Sequence, residues 1–184
     1  TFCLFALGLI GIVTSSIAVG SPLVRVLAQF RAFTFCSNVV VCIHLMLLLA
    51  GIRVSWLELS ALVMMGITFV VHQVFLRRDF QPWNQSSKIA DLVQHTFLPI
   101  SYWMWFLFLN PDRTFSSEDI VLSQAIPFLW LSVILLAERA GKPSGYFFLS
   151  LQQNTKLQVL RNVMLVVLLN LFFVSIAMVA SYLH

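Results

Sequence analysis

Charge is what this chain has least of. Asp, Glu, Lys and Arg together make up 10% of its 184 residues, where a soluble domain carries roughly 25%. That shortage excludes an ordinary solvated globule. Cysteine is nearly as scarce. Cys3, Cys36 and Cys42 all lie within apolar runs and no two are closely spaced. Their odd number and wide spacing exclude a closed disulfide framework and a zinc or redox motif, and they read as small buried hydrophobes. Alternation of polar and apolar residues is missing too. A stretch such as V-V-V-C-I-H-L-M-L-L-L-A excludes the strands of a membrane barrel, which leaves helices as the spanning element. Internal repeats and low-complexity tracts are absent, so residues 1–184 read as a single domain.

What is abundant is apolar. Hydrophobic residues make up 60% of the chain and the mean hydropathy is +0.93, which marks an all-α, polytopic integral membrane protein. Six runs are long enough for a hydrocarbon core of about 30 Å: Phe2–Gly20, Phe33–Gly51, Trp56–Leu76, Ile89–Leu109, Ile120–Ala137 and Val159–Leu183. The first has no basic flank and no clean cleavage signal, so it reads as a span and not a signal peptide. Pro22, Pro82, Pro111 and Pro143 punctuate the short connections. Pro99 and Pro127 fall inside spans four and five, where each should loosen the backbone one turn earlier.

The basic residues divide unevenly among the loops. Arg25, Arg31, Arg77, Arg78, Lys88, Arg139, Lys142, Lys156 and Arg161 lie at the first, third and fifth loops, and only Arg53 and Arg113 at the second and fourth. The positive-inside rule then places the odd loops in the cytoplasm and both termini on the opposite face. The net charge of +4 is thus a topology signal, with no nucleic-acid partner implied.

That topology gathers polar residues at one end of the bundle. Thr34, Ser37 and Asn38 share a face of span two, three and four residues apart. His95 lies about 9 Å into span four, and His72 about 6 Å before the end of span three. Asn162 opens span six on the same side. Asp91, one turn behind His95, is placed to orient it. Each has a plainer reading as well: Thr34 and Ser37 can bond their own helix backbone, and His72 is as readily a packing residue. His44 reads as a packed neutral histidine with few polar neighbours. Glu138 and Arg139 read as a solvated boundary, and the far end of the bundle offers little beyond Glu58.

Threonine attacks as a nucleophile once a base takes its proton, and histidine is the usual base. Asp91 would fix the tautomer of His95, and Asn38 and Asn162 are candidate donors to an oxyanion. Two other readings use the same residues. One is a lipid- or solute-binding or transport protein without chemistry, although no repeated halves or paired broken helices support transport. The other is a transition-metal site of His72, His95 and Asp91, for which H-x-x-x-H or H-E-x-x-H spacing is lacking. The leading reading requires no metal and no cofactor.

Four short stretches together resemble one family: F-T-F-C-S-N at Phe33–Asn38, H-T-F-L-P at His95–Pro99, P-F-L-W at Pro127–Trp130, and the aromatic run Tyr146–Leu149. Their order and spacing are similar to the androgen-induced family of six-span fatty-acid-ester hydrolases and its bacterial membrane relatives, from about Phe30 to the end. The resemblance implies a threonine hydrolase that cleaves fatty acid esters of hydroxy fatty acids, with Thr34 as nucleophile and His95 as base. Its partners would be membrane lipids and an amphiphilic ester. Bacterial relatives often carry asparagine in place of Asp91, and a proline among the aromatics that read Tyr146-Phe147-Phe148 here.

Overall fold

The computed structural model describes residues 1–19, 32–77, 85–110, 114–142 and 146–182. Arg25, Arg31, Arg78, Arg113 and the four loop prolines lie outside them. Among the described residues every regular element is helical and none is a strand. The helices are α1 (Phe2–Val19), α2 (Phe33–Leu49), α3 (Ser55–Leu76), α4 (85–109), α5 (Ser117–Arg139) and α6 (Lys156–Tyr182), with one 3-10 turn at Phe147–Leu149. Three of them, α3, α5 and α6, are long and apolar enough to cross a membrane. That is the make-up of a membrane protein. α2 has 17 residues, a rise of about 26 Å.

Several helices begin earlier than the apolar pattern does, because their first turns are polar and held by side chains. α5 starts at Ser117 behind a capping box in which Ser116 Oγ accepts from Asp119 N at 3.1 Å and Ser116 N donates to Asp119 Oδ2 at 2.9 Å. Thr155 and Gln158 do the same ahead of α6. At the other ends, Gly51 and Gly141 adopt φ of 78° and 77°, which closes α2 and α5 at little steric cost.

α3 is the axle. From Leu57 to Thr68 it is buried on every face and largely apolar. Leu59, Leu62, Met64 and Met65 are fully buried, and α2, α4, α5 and α6 all pack on it. α1 lies outside, against α2 and α4. Small residues permit the close approaches. A Cβ on Gly66 would meet the Phe173 ring of α6 at 2.5 Å, and one on Gly8 would meet Cys42 Sγ at 2.7 Å. α5 and α6 expose rows of large apolar side chains, among them Leu129, Leu136, Leu157 and Leu168, a surface suited to lipid contact.

Pro99 and Pro127 both leave a visible mark. Pro127 has no N–H to offer the carbonyl of Ser123, and that oxygen instead accepts from Ser60 Oγ at 2.6 Å. α5 breaks locally at Gln124. Ahead of Pro99, residues Val93–Phe97 widen into a π turn. A second π turn, His72–Leu76, ends α3, with Arg77 N donating to His72 O at 2.8 Å. Each π turn carries one of the two histidines singled out by the sequence.

Candidate functional site

Three helices deliver the site. The first turn of α2 holds Thr34, the π turn of α4 holds His95 with Asp91 one turn before it, and the π turn of α3 begins with His72. Such turns recur at functional positions because the extra residue re-aims a side chain that a plain helix would send elsewhere. The start of α2 is fixed from the α5–α6 connection: Phe33 N donates to Tyr146 Oη at 2.7 Å, satisfying a donor the helix cannot use itself. Burial pushes the Tyr146 phenol up, so it stays neutral in that role.

The decisive distance is short. Thr34 Oγ1 lies 3.0 Å from His95 Nε2. On the other side of the ring, His95 Nδ1 is 3.0 Å from Asp91 Oδ1 and 3.1 Å from Asp91 O. Both of those oxygens can only accept, so the ring proton belongs on Nδ1 and Nε2 is left to accept from the threonine. Asp91 Oδ1 also lies 2.8 Å from His72 Nε2. The two imidazoles stack with centroids 4.0 Å apart and planes 15° from parallel. Thr34 and His72 are buried, while the side chains of His95 and Asp91 keep 15% and 21% of their surface exposed. The cluster is therefore only partly closed over, at His95 and Asp91.

The neighbouring residues divide. Ser37 Oγ donates to Thr34 O at 2.8 Å and lies 3.0 Å from Thr68 Oγ1, tying the Thr34 turn to α3. Asn38 is fully buried one turn beyond Thr34, and neither of its amide atoms has a hydrogen-bond partner among the described residues. Asn162 points its Nδ2 to Phe148 O at 2.7 Å, so its donor is spent on the Phe147–Leu149 turn and not on an oxyanion. Glu138 is buried and accepts from Leu151 N at 3.2 Å. It anchors that loop, contrary to the solvated boundary expected for it.

His72, Asp91 and His95 offer ligand atoms within 4.8 Å of one another, a set that could hold a transition metal. His72 Nε2 and His95 Nδ1 both aim at Asp91 Oδ1, at 2.8 and 3.0 Å, so the carboxylate takes the position that an ion between the rings would need.

Two features escaped the sequence reading. Gln73 Nε2 donates to Thr96 Oγ1 at 3.2 Å and Arg77 Nη1 donates to Gln73 Oε1 at 2.8 Å, clasping the two π turns together. Their only signal is adjacency to His72 and His95. The far end of the bundle is also richer than expected. Tyr102 Oη lies 2.7 Å from His44 Nδ1, His44 Nε2 lies 4.0 Å from Glu58 Oε2, and Asn110 Nδ2 donates to Glu58 Oε1 at 3.0 Å. His44 thus has polar neighbours at its depth. The sequence pattern hid them because each comes from a different helix.

No family model, curated protein or solved structure matches the chain, so the geometry of the site carries the functional reading. The fold and site define a helical membrane protein with a partly buried Thr–His–Asp cluster beside a second, stacked histidine.

Proposed function

We propose that this protein is an intramembrane threonine hydrolase of a lipid ester, of the kind that cleaves fatty acid esters of hydroxy fatty acids. The observation that supports it is the 3.0 Å approach of Thr34 Oγ1 to His95 Nε2, with Asp91 at the far nitrogen of the same ring. A working nucleophile and base must lie within about 3 Å.

The steps follow from the proton positions. His95 Nε2 takes the Thr34 proton as Oγ1 attacks the ester carbonyl, and Asn38 Nδ2, one turn beyond Thr34 and unpaired among the described residues, is the candidate donor to the oxyanion. Collapse breaks the acyl–oxygen bond, and the imidazolium returns its proton to the departing alcohol. Water activated by the same imidazole then attacks the acyl-threonine, releasing the fatty acid and restoring Thr34. Asp91 orients His95 throughout. His72, pressed against both, shapes the pocket. The substrate enters sideways from the bilayer, which favours an amphiphile over a water-soluble ester.

The same reading takes all six helices as spans, with the odd loops cytoplasmic and both termini opposite, on the strength of the basic-residue asymmetry. A fluorophosphonate probe should label the wild type and fail to label Thr34→Ala and His95→Ala. Folded protein that neither takes up the probe nor turns over any ester in a lipid panel would end the proposal.

A further inference from the structure

Pro127–Trp130 and Tyr146–Leu149 take no part in the hydrolytic steps, yet both converge on the residue next to the nucleophile. The Phe33 ring packs edge-on against Trp130 with centroids 4.9 Å apart, and Trp130 packs edge-on against Tyr146 at 5.6 Å, a geometry aromatic pairs favour. Tyr146 then closes the circle. Its Oη accepts from Phe33 N at 2.7 Å across 113 residues of chain, and the Thr34 backbone N–H acts on the same oxygen.

A helix start is ordinarily capped by the side chain of its own N-cap residue. Here that residue is Ala32, which has no side-chain acceptor. Cys36 N reaches Ala32 O at 3.2 Å, but the N–H groups before it have no acceptor within the helix. The cap is imported instead from the α5–α6 connection, and that strap is itself latched. Asn162 Nδ2 donates to Phe148 O at 2.7 Å, Asn154 Nδ2 to Ser150 O at 3.1 Å, and Leu151 N to Glu138 Oε2 at 3.2 Å. Phe75, in the π turn of His72, also packs on Phe148, with centroids 5.5 Å apart. Helix ends without such partners fray, and Thr34 is the second residue of α2.

We propose that Tyr146 is the positioning residue of the nucleophile: its phenol oxygen, held over the start of α2 by the α5–α6 strap, fixes the first turn so that Thr34 Oγ1 stays on His95 Nε2. Tyr146 touches no reacting atom and acts through Thr34 alone. The consequence for turnover rests on the hydrolytic reading. The consequence for the Thr34–His95 contact does not, and it is read separately.

The full chain in nanodiscs carries isotope-labelled histidine, and the His95 Nε2 resonance is assigned by its loss in His95→Gln. Thr34→Ala, which deletes the donor, sets the shift that follows loss of the hydrogen bond. Tyr146→Phe keeps the ring and removes only the oxygen, and it should move the resonance in the same direction. On a nitrophenyl ester of a long-chain fatty acid, its kcat should fall at least about tenfold with KM held within about twofold, because a misplaced nucleophile costs rate and not binding. A His95 resonance at its wild-type position in folded Tyr146→Phe overturns the proposal, as does a raised KM with kcat unchanged. An unmoved resonance in Thr34→Ala overturns it too, since the contact would not exist. A wild type that cleaves no ester removes the hydrolytic reading instead, and the resonance in Tyr146→Phe still decides whether Tyr146 holds Thr34. If Tyr146→Phe does not fold, Asn162→Leu, which unlatches the strap at Phe148, is read by the same two measurements.

Discussion

Asp91 carries the sharpest question at the level of single residues. Its Oδ1 sits between His95 Nδ1 and His72 Nε2, at 3.0 and 2.8 Å. An acceptor there keeps the His95 proton on Nδ1. With its amide turned to donate, asparagine would leave only the backbone carbonyl at position 91 to accept from Nδ1, and it removes the charge that stabilises the imidazolium. Asp91→Asn is therefore expected to lower ester turnover by at least about tenfold, with lipid binding unchanged. Turnover within a few-fold of wild type would show that Asp91 Oδ1 does not set the tautomer. The threonine and histidine were legible from residue type, spacing and the short motifs around them. The role of Asn162 was not, because depth along a helix says nothing about which way a side chain turns, and Phe148 O captures it.

At the scale of elements, the π turns matter more than the helices that contain them. Pro99 denies His95 O its usual α-helical partner, and the chain ahead of it absorbs an extra residue. Restoring the donor with Pro99→Ala removes the reason for the wider turn. Reversion to α geometry would rotate His95 by about 100° relative to the rest of α4. Activity should then fall at least about tenfold while the melting temperature holds or rises; full activity would separate the π turn from the site. Between α3 and α6 the critical element is a glycine. Gly66→Ala places a methyl 2.5 Å from the Phe173 ring, so it should destabilise the bundle by about 1–3 kcal/mol. Phe173→Leu in the same chain should recover part of that loss in thermal unfolding. An additive double variant would place the strain elsewhere. The kinks were foreseeable from the prolines; that Ser60 would reach the carbonyl freed by Pro127 was not.

The whole molecule is arranged around α3, with α5 and α6 turning apolar faces outward. For a six-span chain, Ser117 and Gln153, both exposed, flank α5 on opposite membrane faces. Single cysteines at these positions, with Cys3, Cys36 and Cys42 replaced, should react with an impermeant maleimide from opposite sides of sealed vesicles. Gln153→Cys is expected to face the cytoplasm. Labelling of both from one side would refute the six-span arrangement. The polar groups follow the same large-scale logic. One cluster joins Thr34, His95, Asp91 and His72, and another joins Tyr102, His44, Glu58 and Asn110. α3 contributes to both.

The sequence alone determined the class of this protein. Scarce charge, long apolar runs and the absence of alternation admit only helices, since each backbone group in lipid must find its partner within its own segment. It also determined that Thr34, His72, Asp91 and His95 lie near one end of that bundle, because rise per residue is a local property. Contact was decided by the tertiary structure alone. Whether Thr34 meets His95 depends on how α2 and α4 are rotated against α3, and that rotation is set by packing between side chains from distant parts of the chain. The π turns and the clasp of Gln73 and Thr96 arise in the same way. Each exists only once several helices share a space.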